Sequence, residues 1–289
     1  MAGEVTIRLK GGLGNQLFMY FAGANLARSL DVPLKLDISQ LRNPKQARMF
    51  ELEYLKMPVP YSVVSSGVNF RNRYAARIFN VVLDFYCIFR GYTIWRPKSL
   101  GYEPHTKRGS KIILDGYFQS FRYVEELTEK IGSFNLFDEE SAKEGDSLPM
   151  ETEDCISVHV RRTDFLPLAH TIGVLDRRYY FSAISRALNI YPGSKIVFFG
   201  DDFQFLLDLQ KVFPNSIIPE MDFNLSTKTI LKLISSSKCI VSSNSTFSWW
   251  ASYLSNNSVL IFPKDWHRDH EVPDLLFKKS ITLLPAVWE

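Results

Sequence analysis

Cys155-Ile156-Ser157-Val158-His159-Val160-Arg161-Arg162-Thr163-Asp164 decides how the rest of this chain is read. Its first half is rich in β-branched residues and poor in polar ones, and Glu151, Glu153 and Asp154 lie just ahead of it, the pattern of a buried strand. Its second half places His159, Arg161, Arg162 and Asp164 where that strand stops. In open α/β sheets ligands bind outside the carboxyl ends of the strands, where loops converge and helix N-termini point. Guanidinium forks at such a place match the oxygens of an anionic ligand two at a time. A ligand-free salt bridge from Asp164 to Arg161 or Arg162 accounts for the same residues equally well.

Downstream the pattern is regular. Asp176 opens a helix with Tyr180, Ile184, Ala187 and Tyr191 on one face, and Pro192-Gly193 stops it. A strand from Lys195 to Gly200 ends in Asp201-Asp202, and a helix follows from Phe203 to Val212. Ser216 to Pro219 and Lys238 to Ser242 read as strands around a helix from Thr227 to Ser237. Phe247 to Leu254 is helical, and Ser258 to Pro263 is a last strong strand. This alternation predicts a parallel sheet covered by helices. Three polar groups then share one end of the sheet: His159 to Asp164, Asp201-Asp202, and Ser243 to Ser248. Converging strand ends define a pocket better than any single motif. Arginine there suits a diphosphate. Asn244, Ser245, Thr246 and Ser248, at a helix start, complete the grip with hydroxyls and backbone N–H groups. Asp201 or Asp202 suits ribose hydroxyls or a guanine edge, and Trp249 and Trp250 read as core.

Upstream, Val5 to Leu9 is a strand, Lys10-Gly11-Gly12-Leu13-Gly14-Asn15-Gln16 a turn, and Leu17, Tyr20, Phe21, Ala24 and Ala27 mark a helix face. Leu34 to Asp37 is the next strand, so the chain opens as a nucleotide-binding fold does. Gly12, Gly14, Asn15 and Gln16 lie where the backbone can approach a ligand closely. Leu17 stands where a dinucleotide fingerprint has its third glycine, but Asp37 keeps a nucleotide-dependent oxidoreductase as the alternative. A helix-start turn with no ligand also remains open. Arg71, Arg73, Arg77, Arg90 and Arg96 lie among aromatics from Phe70 to Trp95. Such a segment either lies on an anionic membrane surface or forms core helices with snorkelling arginines, and the second reading is the preferred expectation. The polar stretch from Asp138 to Asp154 is the expected linker, dividing the chain into domains 1–150 and 151–289.

At 289 residues the chain accommodates two such domains, and 46% hydrophobic with 22% charged residues excludes disorder. A net charge of +3 is too small to argue for nucleic acid. Cys87, Cys155 and Cys239 are odd in number and far apart, which suits reduced thiols. The N-terminus runs straight into a strand, and Ile78 to Phe89 is too short and too interrupted to span a bilayer; the expected location is cytoplasmic. His267 and His270 are thin evidence for zinc, and no Asp-x-Asp pair is present to hold a cation against a sugar nucleotide, so no metal is expected.

The chain resembles the α-1,2-fucosyltransferases, especially the bacterial members. The resemblance rests on Gly11-Gly12-Leu13-Gly14-Asn15-Gln16-Leu17-Phe18, His159-Val160-Arg161-Arg162-Thr163-Asp164, Phe199-Gly200-Asp201-Asp202 and the run from Ser243 to Leu254, with Tyr179-Tyr180. It implies an α/β fold of two Rossmann-like domains facing a cleft, the glycosyltransferase B type. The donor would be GDP-fucose, held mainly by the C-terminal half and transferred with inversion, without metal or cofactor. The acceptor would be a galactose-terminated oligosaccharide, such as a lipid-linked O-antigen unit at the inner membrane. By the same resemblance Arg161 contacts the diphosphate, His159 lies near the guanosine, and the Ser243 to Ser248 run binds phosphate. Asp164 is the first candidate for general base, against an acid merely pinned by Arg162 and a mechanism needing little base. Thr163 and Phe165 stand where the family has glycine and tyrosine, and Thr163 is similar instead to the α-1,6-fucosyltransferases, which leaves the acceptor open.

Overall fold

A computed structural model of the chain describes residues 3–41, 49–65, 73–105, 109–137, 151–256, 258–269 and 281–289, with backbone alone for 73–80. The described residues divide into two compact units, 3–137 and 151–289. Most of the expected linker, and His270 of the histidine pair, lie outside the described residues.

The first unit contains β1 (Glu4–Arg8), α1 (Leu13–Leu30), β2 (Leu34–Asp37), β3 (Tyr61–Val64), α2 (Arg73–Phe89), β4 (Thr93–Trp95), β5 (Lys111–Leu114) and α3 (Phe121–Ile131). Its sheet is parallel, in the order β3-β2-β1-β5-β4, with Ile7 in register with Leu36 and Leu114. The central strands β1 and β5 are buried along nearly their whole length, whereas the edge strand β3 is partly exposed. Helix α1 is buried from Leu17 to Ala27 because strands and α3 close around it. Gly23 allows that approach, since a Cβ there would stand 3.2 Å from Ile7 Cγ2.

One expectation is overturned here. The basic aromatic segment does not form a core helix over its described length: Val81, Val82, Phe85, Tyr86, Ile88 and Phe89 of α2 are all exposed. The opposite side of α2 faces the unit, where Asp84 Oδ1 accepts a 2.8 Å bond from buried Arg8 and Oδ2 a 2.6 Å bond from Arg96. Apolar spacing shows that a helix has a face, not what covers it.

The second unit contains β6 (Ile156–Val160), α4 (Arg177–Ile190), β7 (Ile196–Gly200), α5 (Phe203–Val212), β8 (Ser216–Ile217), α6 (Pro219–Asp222), α7 (Thr227–Ser236), β9 (Cys239–Val241), α8 (Thr246–Leu254), β10 (Val259–Pro263) and β11 (Ile281–Leu284). The parallel sheet runs β11-β10-β9-β6-β7-β8. Strand β6 is central and buried on both sides. Ile156, Val158 and Val160 pack into a core with Tyr180, Ile184 and Ala187 of α4. The alternate residues face the other way, where Ser157 Oγ lies 2.6 Å from Ser237 Oγ. From β6 the chain builds outward to β7 and β8, then returns to the other side of β6 for β9, β10 and β11. The order therefore reverses between β6 and β9, the place where doubly wound sheets open a crevice at their carboxyl ends. Both units are Rossmann-like. The α/β class expected from sequence, with two doubly wound parallel sheets, is the fold observed. Among the described residues no helix is long and apolar enough to cross a membrane.

Candidate functional site

The carboxyl ends of β6 and β9 meet through His159. Its Nδ1 lies 2.9 Å from Ser243 Oγ, and its ring packs on Phe247 with centroids 5.4 Å apart. Burial, reinforced by the charge of Arg161 and opposed by Asp201, holds the imidazole pKa at about 3. His159 is thus neutral at any working pH and serves as a hydrogen-bonding group, not as a cation.

Ser245 is the N-cap of α8, its hydroxyl accepting from the Phe247 N–H at 3.3 Å. The other N–H groups of that first turn carry the positive end of the helix dipole. Ser248 Oγ is buried in a hydroxyl network instead: it accepts from Ser242 Oγ at 2.8 Å and donates to the Ser245 carbonyl at 3.2 Å. Asn244 is buried, and its Nδ2 donates to the carbonyls of Ile172, Gly173 and Trp266 at 3.2–3.3 Å. Thr246 and Phe247 are the half-buried side chains of the tip. Trp249 and Trp250 are fully buried and fix the helix from below, and Tyr179 donates to the Ser242 carbonyl at 2.6 Å.

The two arginines part company. Arg162 turns into the unit and lies over Phe205 at 4.1 Å. Its Nε donates to Asp202 Oδ2 at 2.9 Å, and its Nη atoms donate to both carboxylate oxygens of Glu289 at 2.7 and 3.1 Å. Burial opposes its charge, but Glu289 and Asp202 outweigh it and hold the pKa above the usual arginine value. Arg161 stays partly exposed at the strand end, with Nη2 2.5 Å from Asp164 Oδ2 and Nη1 3.3 Å from Asp201 Oδ2. Other N–H groups of its five remain for an anion. The acid Asp164 is therefore paired with Arg161, not pinned by Arg162 as one of the sequence readings had it.

Both acids after β7 hold this loop together. Asp201 accepts from the Arg162 backbone N–H at 2.8 Å and from Thr163 Oγ1 at 2.7 Å. Asp202 caps α5 through the Phe205 N–H at 3.1 Å. Close packing of β6 and β7 needs Gly200, where a Cβ would stand 2.6 Å from the Val160 carbonyl oxygen. Glu220, unmarked by any sequence signal, accepts from the Gly200 N–H at 3.2 Å. Burial pushes its carboxyl up to about 7, against that hydrogen bond and with help from Asp201.

In the first unit Gly11 has φ +77°, and Gly12 is the N-cap of α1 with open space where a Cβ would stand. Gly14 is buried in the first turn. Gln16 is fully buried and fastens the loop, donating to the Gly11 and Met49 carbonyls at 3.0 and 2.8 Å. Asn15 Oδ1 accepts from Gln119 at 3.0 Å. Asp37 closes a local turn on Ser39, accepting from its N–H at 3.0 Å and its hydroxyl at 2.5 Å. Among the described residues no group of His, Cys, Asp and Glu side chains is placed to hold a metal ion.

The glycosyl transferase family 11 model matches residues 106–281, more than half of the chain. An α-1,2-colitosyltransferase of Escherichia coli is 26% identical, over 93% of this chain and 94% of its own. A galactoside 2-α-L-fucosyltransferase of Caenorhabditis elegans is 24% identical, over 99% of this chain and 78% of its own. Among solved structures, the NodZ α-1,6-fucosyltransferase of Bradyrhizobium, co-crystallised with GDP, shares the fold with a TM-score of 0.50 at 18% identity. It covers 88% of this chain and 93% of that chain.

Proposed function

The chain belongs to glycosyl transferase family 11, and on that premise we propose that it moves L-fucose from GDP-fucose to the 2-hydroxyl of a terminal galactose, inverting the anomeric carbon without a metal. The observation that carries the reading is the place of Arg161, a partly exposed guanidinium at the end of β6 where the order of the sheet reverses beside the start of α8. The names of the relatives support a 1,2-linkage and a 6-deoxy sugar, and the NodZ structures with GDP and GDP-fucose support the donor.

A leaving diphosphate gains charge as the glycosidic bond breaks. Without a cation, that charge is met by fixed donors, and Arg161 with the first-turn N–H groups of α8 supplies them. Because Arg161 already rests on Asp164 and Asp201, the fork is pre-oriented, and the diphosphate takes its remaining N–H groups. Neutral His159 offers a ring nitrogen to the nucleoside without adding charge. Asp164, exposed on the outer side of Arg161, accepts the proton of the acceptor hydroxyl. Asp201 and Asp202 act through the loop that they brace, by positioning Arg161.

The experiment is an acceptor panel of free and lipid-linked galactosides with GDP-fucose and its colitose counterpart, in excess EDTA, with linkage and anomer read by NMR. An α-1,2-linked fucosyl galactoside is expected. Activity lost in EDTA and restored by manganese would overturn the metal-free reading, and transfer to another hydroxyl would overturn the linkage.

A further inference from the structure

Helix α2 carries an apolar face that the described residues of its own unit leave uncovered. Val81, Phe85 and Ile88, with Val82 and Phe89 beside them, recur at helical spacing and form one stripe. Their exposure decides the matter: 53% and 59% for Val81 and Val82, 70% for Phe85, 56% for Ile88 and 89% for Phe89. Single exposed apolar side chains need no explanation, whereas five in one stripe do. The rim of the stripe is basic. Exposed Arg90 follows the helix directly, its guanidinium 5.9 Å from the centre of the Tyr86 ring. Arg96, half exposed, is already neutralised by Asp84 at 2.6 Å and Asp115 at 3.0 Å on the inward side, so Arg90 is the basic group that the described end of the stripe presents. Between residues 71 and 96 the sequence has five arginines and one acid, and that acid, Asp84, is turned inward onto Arg8.

We infer that the end of α2 is a membrane-docking element that lies in the plane of an anionic bilayer, its apolar stripe among the acyl chains and Arg90 at the phosphates. No described helix is long and apolar enough to cross the bilayer, so α2 lies on it. Charge chooses between occupants. A second copy docked stripe to stripe would bring no exposed acid of α2 to meet Arg90, since Asp84, the one acid of the helix, is turned inward. A lipid surface answers both halves of the pattern, with apolar depth and a negative plane above it. The residues involved are separate from Arg161 and the α8 tip, so the inference stands without the sugar-transfer reading. It also gives a lipid-linked acceptor a reason to meet this enzyme at the membrane.

The test is co-sedimentation of the full chain, without donor, on vesicles of phosphatidylcholine alone and with about one third phosphatidylglycerol, at low and high salt. The wild type is expected to pellet with the anionic vesicles and to be released by salt, because the basic rim is screened. Phe85→Ser with Phe89→Ser is expected to lower partitioning at least about tenfold. Both side chains face solvent, so the fold is kept, as circular dichroism checks. As an independent readout, fluorescence of a Phe89→Trp variant is expected to shift blue and to be quenched by lipids brominated on the acyl chain. Three results would each overturn the proposal: no pelleting with anionic vesicles at either salt, pelleting that the double serine variant retains, or fluorescence of the introduced tryptophan that brominated lipid leaves unquenched. Ultracentrifugation showing a dimer that the serine variant dissolves, with no vesicle binding, would assign the face to a second copy instead.

Discussion

Replacing Arg162 by methionine tests how the loop after β6 is held. The side chain is 9% exposed and makes four hydrogen bonds: one to Asp202, one to the Leu175 carbonyl and two to Glu289. Breaking a buried ion pair costs roughly 3–5 kcal/mol, because the surviving partner keeps its charge without compensation. Here the survivors are 23% and 38% exposed, so water recovers part of the loss. Methionine also keeps the apolar stem over Phe205 and removes the burial cost of the guanidinium. The expected loss is therefore about 3 kcal/mol, the low end of that range. Glu289→Gln alone should cost about 1 kcal/mol or less, given its exposure. The double variant should fall short of the sum by about 1 kcal/mol, because both changes act on the same fork between Arg162 and residue 289. The assay is urea unfolding followed by tryptophan fluorescence, since Trp249, Trp250, Trp266 and Trp288 all lie in the second unit. A loss under about 1 kcal/mol for Arg162→Met, or strict additivity with Glu289→Gln, would refute the fork as the clamp of this loop.

Three further outcomes are expected. Asp164→Asn should lower turnover about a hundredfold or more while changing GDP affinity only a few-fold; a weakened affinity with intact turnover would make Asp164 a positioning residue for Arg161. The buried His159 has a folded pKa of about 3 against 6.5, so its contribution to stability is complete above pH 6.5 and is lost as pH falls toward 3, by about 5 kcal/mol at most. His159→Gln should flatten stability over that window, and an unchanged acid limb would contradict the burial argument. Glu220 has the opposite sign: its pKa is raised from 4.5 to about 7, so its contribution is present below pH 4.5 and lost as pH rises through 7, by about 3 kcal/mol. Glu220→Gln should remove that decline, and a decline of the same size in the variant would place its cause elsewhere.

The sheet of the second unit was legible because β6, β7 and β9 are buried on both faces and punctuated by polar residues at their carboxyl ends. The convergence of His159, Asp201 and Ser243 on one end follows from parallel strands alone. Pairing within that end was not legible. Arg161 and Arg162 are neighbours with identical chemistry, and they separate because Arg162 finds Leu175, Asp202 and Glu289, the last 127 residues away. Glu220 gave no signal either, since its partner is the Gly200 N–H in another element. Helix α2 misled for a different reason: an apolar face reads alike whether it meets a core or solvent.

The central claim is that Arg161 holds a diphosphate at the start of α8. Calorimetric titration of GDP into the wild type and Arg161→Ala tests it directly. The account predicts saturable binding of one GDP by the wild type and a loss of about tenfold to a hundredfold in the variant, the worth of charged hydrogen bonds to one guanidinium. Equal affinity in the two proteins, or no heat from either at millimolar GDP, would contradict it.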